Sequence, residues 1–143
     1  MTTVCDDPLG IPTEGLHILA TFYECQCQKD LLYDADRVMD KLKKAVDESG
    51  LTAVNSSFFS FNQNAHDQHG YTGCIALAES HLALTVIPTS PFTLHSWPEI
   101  NKANIQIFVC NYTRDNSDKA RELYKKTKEI LMPKAARYRE VLE

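Results

Sequence analysis

Side chains able to attack, or to carry protons, are concentrated in the run GCIALAESHLALTVIPTSPFTLHSWPEINKANIQIFVC, Gly73 to Cys110. An apolar stretch leads without a turn signal into Glu79, Ser80 and His81. Polar groups at the end of such a stretch are costly to bury unless they are paired. Further on stand His95, the single tryptophan Trp97, Pro98 and Glu99, and then Cys110 on the polar register of an alternating segment. A hydroxyl, two imidazoles, a carboxylate and a thiol at neighbouring strand ends suit nucleophilic and proton-transfer chemistry. Taken singly, each has a plainer reading. Cys110 fits a small strand-end residue, Glu99 a turn carboxylate, Thr72 a strand threonine and Phe61 a core aromatic.

The elements that must position these groups follow from periodicity. Leu16 to Tyr23 reads as a strand. Val38, Met39, Leu42, Ala45 and Val46 recur at helical spacing within Leu31 to Glu48, with Asp34 as an N-cap and Gly50 just past the end. Thr52 to Phe61 is a second strand, and Asn62 to Gly70 a polar loop. Tyr71 to Ser80 reads as one strand suited to burial on both faces. Ala103 to Cys110 alternates cleanly, and Asn116 or Ser117 caps a helix with Ala120, Leu123, Tyr124 and Thr127 on its inner face. Met132 to Glu143 fits either a helix extension or an edge strand. This order predicts an α+β two-layer sandwich, with a mostly antiparallel sheet carrying helices on one face.

Composition removes several classes of function. The 143 residues suit a single domain over 1–143 with a real core. Acidic residues outnumber basic ones, 19 to 15, and no basic stripe offers itself to a phosphate backbone, so nucleic acid is not an expected partner. No apolar run approaches the roughly 20 residues of a membrane span, and MTTVCDDPLG has no secretory-signal order. A soluble cytoplasmic protein is expected. Five cysteines, an odd number, predict reduced thiols; Cys25 and Cys27 form a C-x-C pair with no second pair to close a zinc site, so no metal is expected. His66 and His69 lie in a polar, loop-like stretch.

LAESHL, TLHSWPE and IQIFVC together resemble the prokaryotic-type S-adenosylmethionine decarboxylases, which are pyruvoyl enzymes. GLHILATFYEC, DESGLTAVNSSFFSF and GYTG extend the likeness upstream, over about Gly15 to Leu131. The resemblance implies self-cleavage between Glu79 and Ser80 by serinolysis, leaving a pyruvoyl group derived from Ser80. That group is the electron sink for decarboxylating S-adenosylmethionine to the aminopropyl donor of spermidine synthesis. It also implies roles for individual residues. His95 and Thr72 assist processing, Cys110 reprotonates the α-carbon, Glu99 holds ribose hydroxyls and Phe61 stacks on adenine. A homodimer of processed α/β chain pairs is implied as well.

The sequence departs from that pattern in places. Ser80 and His95 are fifteen apart where the family has five, so Ala83 to Phe92 is an insertion, expected to loop out because it holds two prolines. Ser90 lies five before His95 and rivals Ser80, but lacks the flanking Glu and His. Phe59 stands where a histidine is common, and Gln106 where an acid is usual. These changes keep two alternatives open: a pyruvoyl decarboxylase of another amino acid such as arginine or ornithine, and a non-processing binding or regulatory relative.

Overall fold

The structure is a computed structural model that describes residues 15–60, 70–87, 101–111 and 114–142. Its elements in chain order are β1 (Gly15–Cys25), α1 (Lys29–Tyr33), α2 (Ala35–Glu48), β2 (Ala53–Ser60), β3 (Tyr71–Leu77), β4 (Ser80–Ile87), β5 (Lys102–Cys110), α3 (Ser117–Leu131) and β6 (Pro133–Leu142). The six strands form one sheet in the order β2-β3-β4-β5-β1-β6, and each neighbouring pair is antiparallel. The expected two-layer α+β sandwich is what forms.

Alternation decides which face is covered. Leu16, Ile18, Ala20 and Phe22 of β1, Leu82, Leu84 and Val86 of β4, and Ala103, Ile105, Ile107 and Val109 of β5 are all buried. They meet Val38, Leu42, Ala45 and Val46 of α2 and Ala120, Leu123 and Leu131 of α3 in one core. Each large aliphatic removed from water in this way contributes about 1.5–3 kcal/mol. The opposite face carries His17, Leu19, Thr21 and Tyr23 of β1 and Asn104, Gln106, Phe108 and Cys110 of β5, with no element of the described chain laid across it.

Local signals set the helix ends. Asp34 Oδ1 accepts from the backbone N–H groups of Asp36 and Arg37, so Asp34 starts α2 and separates it from the short α1, where periodicity had suggested one helix. At the other end Gly50, at φ +81°, donates to Asp47 O while Leu51 donates to Val46 O, a paired closure that needs a residue free to turn left-handed. Met132 closes α3 in the same region at φ +51°, and Pro133 then begins β6. The C-terminal segment is therefore an edge strand, paired along β1.

Two expectations are corrected. Tyr71 to Ser80 is not one strand: the chain turns at Ala78 and Glu79, and Leu77 pairs with Ser80 across a tight hairpin. The presumed loop-out of Ala83 to Phe92 also fails for its first five residues. Those continue β4 between β3 and β5, because Leu82, Leu84 and Val86 keep the alternation that buries them. The prolines at 88 and 91 come only after the strand ends, outside the described residues. Gly73, opposite Phe58 on β2, shows why the hairpin needs a small residue there: a Cβ would collide with the Phe58 ring.

Candidate active site

The β3–β4 hairpin brings Ser80 to a sheet end in an unusual conformation. A two-residue hairpin turn favours positive φ at its central residues, which Gly and Asn tolerate. Ala78 and Glu79 do not take it, and the positive φ falls on Ser80 instead, at +153°. L-residues rarely adopt that angle, at a cost of order 1–3 kcal/mol. Strain is thus stored at the residue following the Glu79 carbonyl.

The turn is pinned on both sides. Ala78 donates from its backbone to Thr52 O at 2.9 Å, and Glu79 Oε1 accepts from Thr52 N at 2.9 Å. Across the other edge, Cys110 N donates to Glu79 O at 2.9 Å. Cys110 is held in turn by α3. Asn116, almost fully buried, donates from Nδ2 to Cys110 O at 2.9 Å, while its own N–H reaches Asn111 Oδ1 at 2.8 Å. Asn116 thus occupies the N-cap position, but its side chain serves the end of β5 and caps no helix N–H. The Cys110 thiol is free and exposed, on the uncovered face of the sheet.

At this sheet end the Ser80 hydroxyl meets the imidazole of the next residue, Oγ to Nδ1 at 3.4 Å. The His81 ring lies 5.9 Å from the Phe108 ring, and His17 approaches Phe108 edge-on at 5.5 Å. Burial, and secondarily the neighbouring His17, lower the His81 pKa below its usual value. Both effects favour the neutral imidazole.

The residues singled out by sequence divide into three groups. Glu79, Ser80 and Cys110 come together. Thr72 does not join them within one chain: it lies five ladder positions along the hairpin from Leu77, about 17 Å at about 3.4 Å per residue, with its hydroxyl 2.9 Å from that of Thr85. His95, Glu99 and Phe61, together with Ser90 and Trp97, lie outside the described residues. Sequence reasoning gave no role to His81, although the SH dipeptide was its signal. Nor did it reach Asn116's hold on Cys110 or the Cys110 N–H, and a backbone donor leaves no trace in a sequence.

Cys25 and Cys27 behave as structural thiols. Cys25 ends β1 in the core, and burial, with Cys27 adding to it, pushes its pKa up to about 12. Among the described residues no three His, Cys, Asp or Glu side chains gather as a metal site, and no helix is long and apolar enough to cross a membrane.

The fold and site define a class: an antiparallel α+β sandwich with a strained serine in a hairpin turn, its preceding carbonyl bound by the next strand. The family model for S-adenosylmethionine decarboxylase matches residues 16–142, and the chain belongs to that family. It is 35% identical over 96 residues to the S-adenosylmethionine decarboxylase proenzyme of Thermosipho africanus (strain TCF52B), covering 67% of this chain and 61% of that protein. It is 32% identical over 99 residues to the proenzyme of the same name from Archaeoglobus fulgidus, covering 69% and 73%. The chain thus spans about three fifths of the length of the Thermosipho relative. The crystal structure of the adenosylmethionine decarboxylase from Aquifex aeolicus VF5 superposes with a TM-score of 0.68 at 26% identity, covering 92% of this chain and 91% of that one.

Proposed function

We propose that this protein is a pyruvoyl-dependent decarboxylase of S-adenosylmethionine, made as a precursor that cuts itself between Glu79 and Ser80. One observation carries the reading: the strained Ser80 follows a carbonyl already bonded to the Cys110 N–H. A hydrogen bond to that oxygen stabilises the negative charge it gains when a hydroxyl adds to its carbon. Attack by Ser80 Oγ on the Glu79 carbonyl carbon converts the peptide bond to an ester. Loss of the Ser80 α-proton and of the Glu79 carboxylate then leaves a dehydroalanine. Water hydrolyses its imine tautomer, releasing ammonia.

The residues present fit the group this leaves at position 80. When formed, it supplies the electron sink that amino-acid decarboxylation needs and that no ordinary side chain offers. The Cys110 thiol, exposed on the same sheet end, holds a proton at Sγ that can be given to the substrate α-carbon once CO2 has left. His95 as a processing aid, Glu99 on the ribose hydroxyls and Phe61 against adenine complete the reading by family likeness. The product would be the aminopropyl donor for spermidine.

A homodimer of processed chain pairs fits the uncovered sheet face, where Leu19 and Phe108 sit among polar side chains. Free thiols at Cys25, Cys27, Cys74 and Cys110 suit a reducing cytoplasm.

The deciding experiment is an intact mass spectrum of freshly purified protein. Two chains parting between Glu79 and Ser80, the second with a ketone-reactive terminus, support the reading; one unbroken chain inert to carbonyl reagents overturns it. Product analysis with S-adenosylmethionine, arginine and ornithine fixes the substrate.

A further inference from the structure

One imidazole beside the scissile bond has no part in the scheme above. His81 Nδ1 is 3.4 Å from Ser80 Oγ, the atom that must lose its proton before it can attack. A contact of that length is loose for a hydrogen bond, but catalytic contacts often tighten only as the reaction proceeds. His81 stands opposite Ala76 on β3 and Phe108 on β5, its ring 5.9 Å from the Phe108 ring.

We propose that His81 is the catalytic base of the first self-cleavage step, taking the Ser80 hydroxyl proton at Nδ1 and returning it to the departing backbone nitrogen. The inference rests on Ser80 being the precursor. The step balances within the chain. The bond from Oγ to the Glu79 carbonyl carbon forms, the bond from that carbon to Ser80 N breaks, and the proton shed by Oγ ends on the new amine. No oxidant or outside reactant enters. This assigns the acyl shift to His81 and leaves His95 the proton transfers of the later elimination.

The surroundings suit a base that must be neutral. On the same face the nearest titratable groups are His17 of β1, Cys110 of β5 and Cys74 of β3. Lys102 lies at the far end of β5, against the Tyr23 ring, and the Glu79 carboxylate is turned away to Thr52 N. The residues across the ladder from His81 and next beyond, Ala76, Phe108 and His17, carry no carboxylate to hold it protonated, and burial together with His17 favours the free imidazole.

The test follows self-cleavage rather than decarboxylation, in full-length wild-type, Ser80→Ala, His81→Ala and His81→Asn precursors made by cell-free translation. The wild-type rate should rise with pH through a value below 6.5 and then level off. His81→Ala should cut at least about 100-fold more slowly, lose the inflection and recover partly with added imidazole. His81→Asn, which keeps an acceptor near the Nδ1 position but cannot titrate there, should also lack the inflection. Hydroxylamine, which splits esters, should leave His81→Ala whole, because a block before the acyl shift accumulates no ester. A wild-type profile with no inflection below 6.5, wild-type rates in His81→Ala, or hydroxylamine cleavage of that variant at Glu79 each overturns the proposal while the Ser80 reading stands. A wild-type chain that never cuts overturns both.

Discussion

The backbone N–H of Cys110 donates a 2.9 Å hydrogen bond to the carbonyl oxygen of Glu79. On the proposed reading one residue would serve two stages with different atoms: its amide would polarise the carbonyl to be attacked, and its exposed thiol would make the later proton transfer. Cys110→Ala separates them. It retains the amide, so the precursor should still cut itself within about threefold of the wild-type rate. Turnover should fall by about 100-fold or more, since general acid catalysis contributes about 10²–10⁴-fold. Gel analysis reads the first effect and a CO2-release assay the second. Unchanged turnover would remove the thiol from the chemistry.

Strain at Ser80 can be measured in uncut chains. Neither Ser80→Ala nor Ser80→Gly can form the ester, so both should remain full length. Glycine accepts a φ of +153° without the side-chain penalty. Despite glycine's greater freedom when unfolded, Ser80→Gly should be the more stable by about 1 kcal/mol. Urea denaturation checks the order, and a more stable alanine variant would show that the turn stores no strain.

Asn116 connects the start of α3 to the end of β5 through its bond to Cys110 O. Asn116→Leu leaves that carbonyl without its donor in a partly buried setting and should cost about 1 kcal/mol. Because the Cys110 amide then loses its fixed position, self-cleavage should also slow by about tenfold at a temperature where the variant is fully folded. Stability loss with an unchanged cleavage rate would limit Asn116 to a structural role.

Leu84 tests the course of the inserted segment. Its side chain is 2% exposed, between β3 and β5. Leu84→Ala should destabilise by about 2–5 kcal/mol, whereas a looped-out residue would change stability by no more than about 0.5 kcal/mol. Chemical denaturation of the uncut Ser80→Ala background gives the number directly.

Arg121 on α3 and Glu140 on β6 tie the edge strand to the helix layer, with Nε to Oε1 at 2.6 Å. The hydrogen bond from Arg121 holds the Glu140 pKa below the ordinary carboxylate value, with Tyr138 adding to it. A carboxylate lowered on folding adds stability above its unfolded value, about 4.3, and loses it as pH falls through the folded one. Glu140→Gln should therefore lose about 1 kcal/mol at pH 7, and the difference should close as pH falls below about 4.3 through the lowered Glu140 value. Melting curves across that range check the convergence.

Much of this protein is written in its residue order. The alternation of Leu16 to Phe22 and Ala103 to Val109, the helical spacing of Val38 to Val46 and the Asp34 and Gly50 signals follow from short-range rules, because strand and helix periods act over a few residues. The ESH, HSWPE and terminal-cysteine motifs likewise carried the family, and with it the expectation for Ser80 and Cys110. Long-range pairing decided the rest. Ala78 and Glu79 hold no turn-forming residue, so only the pairing of Leu77 with Ser80 and the hold of Thr52 and Cys110 show that the chain reverses there. Whether Ala83 to Val86 loops out or fills the sheet depended on a vacant place between β3 and β5. The same antiparallel ladder carried Thr72 to the far end of the hairpin and set the His81 ring against that of Phe108. Such contacts are properties of distance between strands, and a linear order of residues contains no distances.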